Sequence, residues 1–509
     1  MFKASIKKTK NSLNLAVLLP IAFVVLAIPP LNGYDTDFAY YATAAQMIFN
    51  GLEMYGEVYD HKPPLYHHVL ILGAYLNDFL GTKFLGFFCV HLFVLGGFYC
   101  ASLALLKQIV TAVGIKRDNH LDLLLFSLLT SSLFVANIEY NHLNASIVYF
   151  ATTCELFGIV WFVKGSKKKP RFDGNFKNLV IPAIFVALAL LTRVHFAALL
   201  AICIFLIFNS NNWWSAIKNL VLFGLITICL IAFGLYFLAG NFEDFFQAVI
   251  VDNLSYTEQK TGRYPIIFPA GFYALKSNIF VITLVVLSAF AAIIQKKSVS
   301  SIRRNLSELL SIKLILFLLV FIAAAFFVIM LTRPGGNSYR YYGLLPLVTI
   351  LGIILIASFS STKLLKILST SAMIITLTSY TFVLTKVEFK SWEKNELIAI
   401  LDAESSNGEV FFTADFNSWL YLATDTLPLI KSQFLKELTF PTKSERIDVF
   451  EAILTTDPKF IIFSAEESGH ISSIESFVIK NSNSFSKAYR FYSVFDTPYK
   501  RVRLWERKL

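Results

Sequence analysis

The sequence predicts a mainly α-helical, polytopic membrane protein with a small α/β domain after its last apolar segment. Three observations predict it. Charged residues make up 16% of the 509-residue chain and hydrophobic residues 56%, including 50 phenylalanines. An ordinary soluble domain has roughly 25% charged residues, and a soluble surface this poor in charge could not be solvated. The apolar residues also fall in runs of about 20, the length a bilayer-spanning helix needs. From residue 386 onward charge returns to ordinary density, with 16 Lys/Arg and 18 Asp/Glu. A soluble enzyme, a disordered chain and a secreted disulfide scaffold are excluded.

The apolar runs lie at 13–31, 83–106, 121–137, 143–163, 178–191, 194–209, 213–239, 271–294, 311–331, 341–359 and 363–385. They predict about 11–13 crossings, an odd number favoured, and divide the chain into a membrane part, 1–385, and a soluble part, 386–509. The first run follows Lys3, Lys7, Lys8 and Lys10, and no A-x-A-like site comes after it. It reads as an uncleaved first helix with a cytoplasmic N-terminus. Loop 164–177 carries Lys164, Lys167, Lys168, Lys169, Arg171 and Lys177, and loop 295–310 carries Lys296, Lys297, Arg303 and Arg304. Such loops face the cytoplasm. Lys107, Lys116 and Arg117 mark a third inside loop, whereas 240–265 is acidic and faces out. Residue 32 is then outside and residue 107 inside, so one crossing separates them. The run 83–106 supplies it, and 64–80 lies along or dips into the outer face. The parts facing out are 32–80, 138–142, 192–193, 240–270, 332–340 and 386–509.

The net charge of +11 belongs to the membrane part, where cytoplasmic loops carry such an excess, so nucleic acid is not an expected partner. Cys89, Cys100, Cys154, Cys203 and Cys229 all sit in apolar runs without a CxxC pair. They read as small core residues, not as a disulfide framework or zinc site. In the tail, Glu409–Ala414 and Phe460–Ala465 read as strands, and 391–404, 443–455 and 471–480 as helices. Ser482–Lys508 reads as a loop and then a hairpin turning at Asp496–Pro498. No GxGxxG, P-loop, GxSxG or HExxH is present.

Chemistry-bearing residues cluster in the outward parts. Gly33-Tyr34-Asp35-Thr36-Asp37-Phe38-Ala39-Tyr40-Tyr41 puts two carboxylates at the membrane surface. Partial burial there raises a carboxyl pKa and makes a better general base. With a helix starting near Phe38, Asp37 suits a cap, while Asp35 lies too far away to cap and is favoured for function. Gly51-Leu52-Glu53-Met54-Tyr55 follows, then Tyr59-Asp60-His61-Lys62-Pro63-Pro64-Leu65-Tyr66. The proline pair suits a helix start. Asp60, His61 and Lys62 precede that N-terminus, whose dipole favours an anion. From the residues alone, Lys62 at a phosphate site and a plain capped loop are equal readings.

In this order the two stretches resemble the first periplasmic loop of bacterial GT-C glycosyltransferases. That group includes the protein O-mannosyltransferases and lipid A aminoarabinose transferases, family 39 of the glycosyltransferases. Asp-His-Lys-Pro-Pro is the most specific part. The resemblance implies a GT-C core over the whole chain, with Asp35 as base and Asp37 as second choice; many members have Asp-Glu where this chain has Asp-Thr-Asp. It also implies a bacterial inner-membrane location with the C-terminal domain in the periplasm. Arg340-Tyr341 and Leu345-Pro346 match an Arg-Tyr step before a Leu-Pro pair in the family. Arg193 follows an apolar run at the outer face, where the family often has Lys or Arg, and is a lipid-phosphate candidate. His195 reads as an interior histidine.

Further substrate-binding candidates are Glu139 and His142 at an outer turn, which equally suit a plain polar turn, and Arg333 and Tyr339 beside Arg340. Arginine offers a forked donor for phosphate; the bland alternative is a snorkelling arginine in an aromatic belt. The expected activity is hexosyl or pentosyl transfer from a polyprenyl-phosphate sugar donor to a lipid, glycan or protein acceptor on the periplasmic face, with membrane lipids as surroundings. The alternative from another class is a transporter or flippase of an anionic lipid-linked sugar. A third reading is a non-catalytic scaffold. A divalent cation, magnesium or manganese, stays open: Asp35, Asp37, Asp60 and His61 could ligate one, but no ligand spacing requires it.

Overall fold

A computed structural model describes residues 36–112, 119–137, 146–166, 176–193, 197–209, 212–252, 279–294, 345–359, 362–386, 395–406, 410–414, 418–430, 433, 443–465, 473–497 and 501–508. The described chain opens with α1 (Thr36–Phe49), then α2 (Leu65–Leu80) and α3 (Leu85–Ala112). Next come α4 (Asn119–Asn137), α5 (Ser146–Ser166), α6 (Phe176–Thr192), α7 (Ala197–Asn209) and α8 (Trp213–Leu238). A short α9 (Phe242–Phe246) runs into a π-helical turn over Gln247–Val251. Then follow α10 (Ile279–Ile294), α11 (Leu345–Phe359) and α12 (Thr362–Lys386).

Among the described residues, three segments are long and apolar enough to cross a membrane: Leu85–Val110, Ser146–Lys164 and Trp213–Leu238. Shorter apolar helices cover parts of the other expected runs, including Asn178–Thr192 and Ile279–Ala291. The runs 13–31 and 311–331 lie outside the described residues. On α8, Val221, Leu225, Ile228, Phe233 and Phe237 all stand exposed. So broad an apolar surface on one long helix fits a membrane-spanning segment.

Contacts divide the chain into two compact units. The first takes in 92–233 and 261–386 with the N-terminal residues 1–29. Within it α4 packs on α10, α11 and α12, and α5 packs on α6 and α7. Helices α10 and α11 approach so closely at Gly352 that a Cβ there would lie 2.1 Å from Val281 Cγ1. The second unit joins 30–91 and 234–260 to the C-terminal residues 387–509.

In the second unit, α2 starts directly after Pro63-Pro64, as the sequence predicts. Its buried face carries Tyr66, His67, Leu70, Gly73, Ala74 and Asn77. Its exposed face carries Leu72, Tyr75, Leu76 and Phe79. A helix apolar on both faces suits a lipid–water boundary. Gly81 ends it in the left-handed conformation, φ 63°, which glycine adopts without steric cost. Asn77 organises the turn into α3: its Oδ1 accepts from the Gly86 amide at 2.6 Å and its Nδ2 donates to the Lys83 carbonyl at 2.9 Å. Loop 50–59 is pinned by an apolar cluster of Met47, Met54, Tyr55, Val58, Phe245 and Val249.

The tail forms α13 (Glu396–Ser406), β1 (Phe411–Thr413), α14 (Trp419–Thr424), α15 (Lys443–Thr455) and β2 (Phe460–Ser464). It ends with α16 (Ser473–Asn481), α17 (Asn483–Ala488), β3 (Tyr489–Asp496) and β4 (Arg501–Arg507). The sheet order is β1-β2-β4-β3, with β1 parallel to β2 and the other pairs antiparallel. One face packs Phe412, Ile461 and Phe463 against Phe450, Val478 and Phe485. In the tail the sequence reading corrects at the segment after Ser482. The expected loop after Ser482 begins instead as α17, because the Ser482 hydroxyl caps it by accepting from the Phe485 amide at 3.1 Å and Phe485 is fully buried.

Candidate functional site

Helix α1 is helical from Thr36 at the latest, and Asp37 sits half-buried in its first turn. This start is earlier than the expected one near Phe38. Asp35 immediately precedes the helix in sequence, so distance no longer argues against a capping role for it. Asp35 itself lies outside the described residues. The next turn of α1 carries Tyr40 and Tyr41, both buried. The Tyr40 hydroxyl donates to the Tyr59 carbonyl, and Tyr41 faces Lys62. The Lys62 ammonium reaches the Tyr41 hydroxyl and lies over the Tyr41 ring, 4.3 Å from its centroid.

The loop that carries Lys62 is held at several points. Tyr55, in the left-handed region at φ 68°, donates from its hydroxyl to the Lys62 carbonyl at 2.6 Å. A left-handed non-glycine residue persists only where its surroundings enforce it, and Tyr55 is buried against Phe245. The Tyr59 hydroxyl donates to Asp252 Oδ2 at 2.8 Å. The prolines that follow Lys62 then start α2.

Beneath Lys62 lies Asp60, whose side chain is completely enclosed. Its Oδ1 accepts from the His61 amide at 2.6 Å and faces His61 Nδ1 at 3.0 Å. Its Oδ2 pairs with His67 Nε2 at 2.8 Å. Burial alone would push this carboxyl up. The Lys62 charge and the bonds from His61 and His67 outweigh it and hold the carboxyl well below the usual carboxylate range. Asp60 is therefore an anion at any physiological pH. The same enclosure pushes the Tyr40 and Tyr55 phenols well above their ordinary value, through burial first and the Asp60 charge second. They act as hydrogen-bond donors, not as acids.

Of the sequence-chosen residues, Asp37, Asp60, His61 and Lys62 fall together in this unit. Arg193 follows α6 in the other unit, partly exposed. Glu139, His142, Arg333, Tyr339, Arg340 and Tyr341 lie outside the described residues, as does Asp35. Sequence reasoning missed Tyr40, Tyr41, Tyr59 and His67 as parts of one network. The available signal for His67 was its place in the first turn of the helix that follows Asp60. Among the described residues no three His, Cys, Asp or Glu side chains are grouped to hold a metal ion. Of the candidate ligands, Asp37, Asp60 and His61 are described, and Asp60 and His61 are bonded to each other.

No protein-family model matches the sequence, and no curated protein matches it. Solved structures do. The chain is similar to ArnT from Cupriavidus metallidurans bound to undecaprenyl phosphate, with a TM-score of 0.61 over 96% of this chain and 97% of that one. The chain has the GT-C fold. A second GT-C likeness is to the oligosaccharyltransferase of Archaeoglobus fulgidus in complex with Zn and sulfate, with a TM-score of 0.50 over 94% of this chain and 72% of that one. A third is to AglB from Archaeoglobus fulgidus with an inhibitory peptide and a dolichol-phosphate, at a TM-score of 0.50 over 89% and 69%. Identities of 10%, 12% and 13% make these likenesses of fold. The mainly helical membrane architecture expected from the sequence and its small terminal α/β domain agree with the GT-C match.

Proposed function

We propose that the chain is a membrane glycosyltransferase that moves a sugar from a polyprenyl-phosphate donor to an acceptor on the outer face of a bacterial inner membrane. The observation that carries this reading is the state of Lys62. Its ammonium is bound by a tyrosine hydroxyl and ring, while the neighbouring carboxylate is bonded to two histidines. Among the described residues Lys62 makes no salt bridge. A cation positioned this way at a helix N-terminus is available to a phosphate. The GT-C fold supports the donor class, since one protein of similar fold is bound to undecaprenyl phosphate and another to a dolichol-phosphate.

In this reading Asp35, or Asp37 beside it, takes the proton from an acceptor hydroxyl or amine. The freed lone pair attacks the anomeric carbon, the carbon–oxygen bond to the phosphate breaks, and the configuration inverts. Lys62 offsets the charge that grows on the leaving phosphate. Arg193 and Arg340 are its proposed helpers, and Glu139, His142, Arg333, Tyr339 and Tyr341 are further proposed substrate-binding residues. Asp60 and His61 hold the Lys62 loop. The C-terminal domain stands on the periplasmic side, so a reporter fused after Leu509 should be active only if it works there.

The test offers membranes a panel of labelled polyprenyl-phosphate hexoses and pentoses. One should be consumed by the wild type and spared by Lys62→Ala. If none is consumed, yet labelled lipid crosses a vesicle bilayer in wild type and in Asp35→Asn alike, the protein is a flippase and the proposal fails.

A further inference from the structure

Two side-chain bonds tie the C-terminal domain to α1, and the proposed function uses neither. Thr43 Oγ1 donates to the Ser418 carbonyl at 3.0 Å. Gln433 Nε2 donates to the Tyr40 carbonyl at 3.0 Å. Both bonds are buried, and α14 packs directly on α1. Tyr40 passes the connection on, because its hydroxyl donates to the Tyr59 carbonyl next to Asp60. One residue of the tail thus touches the backbone of the helix that carries Asp37, and through one tyrosine the loop that carries Lys62.

Gln433 has the marks of a residue held in place against its own preference. It is completely buried. Its backbone lies in the left-handed region, φ 67°, where residues other than glycine are strained. Its amide oxygen has no hydrogen-bond partner among the described residues. A buried amide used on one side only is costly to keep; a small apolar residue would relieve that fault, and a glycine would relieve both. What glutamine adds at this position is the bond to the Tyr40 carbonyl.

We propose that Gln433 is a positioning residue of the site: the C-terminal domain, through Gln433 and the Ser418 carbonyl, sets α1 and the Asp60–Lys62 loop in register. The inference deepens the glycosyltransferase reading and rests on it for its kinetic test only. The domain therefore acts on the rate of transfer besides adding bulk at the outer face.

Three full-length variants test it. Gln433→Gly relieves the left-handed backbone and deletes the amide. Gln433→Glu keeps the volume but replaces the donor by a carboxylate, which repels the Tyr40 carbonyl. Thr43→Val removes the second tie. Hydrogen–deuterium exchange in detergent or nanodiscs should show faster exchange at 36–41 and 55–62 in each Gln433 variant. In the transferase assay kcat per folded molecule should fall roughly 2- to 13-fold, the rate equivalent of one neutral hydrogen bond. Gln433→Glu should be no better than Gln433→Gly, and the Thr43→Val double variant should be worse. Exchange that rises only around 418–433, with kcat unchanged, would overturn the proposal. If the wild type transfers no sugar but exchange still rises at 36–41 and 55–62, the tie stands and the glycosyltransferase reading is what fails.

Discussion

Among the described residues two carboxylates, Asp60 and Glu475, are wholly enclosed, and they are held in different ways. Glu475, on α16, takes the Arg503 Nε at 2.9 Å and the Trp505 indole Nε1 at 2.7 Å. Both partners stand on β4, a strand fixed by pairing on each side. One is a permanent cation and the other a neutral donor, and both bond the same carboxylate oxygen, Oε1. Asp60 instead takes two histidines from its own loop and the next helix, and its negative charge stands beside a lysine it does not bond. The first arrangement locks a domain. The second fixes a loop while leaving a cation to spare, which is the arrangement a phosphate site needs.

The largest effect should come from the proposed general base. Asp37 is half-buried, and Asp35 precedes it. Loss of a general base costs typically about 10²–10⁴-fold in rate. Asp35→Asn or Asp37→Asn should lose turnover on that scale with donor binding intact, measured by donor retention in membranes. Should Asp60→Asn be the only one of the three to abolish turnover, the comparison breaks, because an enclosed carboxylate would then be the base.

Lys62→Ala comes next. Removing a charged hydrogen-bond partner from a partly buried site costs roughly 1.5–3 kcal/mol, about 10- to 150-fold at 1.4 kcal/mol per tenfold. The loss should fall on donor use at saturating acceptor, and Lys62→Arg should recover part of it. Glu475→Gln sharpens the contrast from the other side. It should lower stability by about 1.5–3 kcal/mol, read as an earlier thermal unfolding of the tail, with kcat per folded molecule unchanged.

The smallest effect is in pH. The Asp60 carboxyl is depressed in the folded protein, so its contribution to stability is complete above the unfolded value of about 3.9 and is lost as pH falls through the lower, folded one. The stability gap between wild type and Asp60→Asn should be constant above about pH 4 and shrink below it. A gap that instead opened on acidification would reverse the sign and remove Lys62, His61 and His67 as the stabilising partners.

Much of this was legible in the sequence, for identifiable reasons. Pro63-Pro64 announces the start of α2 because proline is tolerated in the first turn of a helix and not in its interior. Short apolar runs mark β1 and β2, and Asp496–Pro498 marks the turn after β3. The order β1-β2-β4-β3 was not legible, since strand pairing across 489–507 is a long-range outcome. Asp60 was visible as a charge beside Lys62, but its enclosure was not. That depends on His67, which becomes a partner only once α2 brings it back over the loop. Asn77 looked like an anomaly in an apolar stretch, and its role appears only where its side chain closes the α2–α3 turn. The Gln433 contact left no sequence signal at all, because a single polar residue does not reveal which distant backbone it will meet.

The bond between Gln433 and Tyr40 spans 393 positions of the chain. Ribosomes add roughly 5–20 residues per second, so α1 emerges on the order of 20–80 s before its far anchor exists. During that interval the nascent protein already carries its candidate base and its candidate phosphate lysine, yet lacks the tie that aligns them. A chain that stops before Gln433 should insert and still be slow. If the glycosyltransferase reading holds, products lacking Gln433 should be poorer catalysts than the full-length chain.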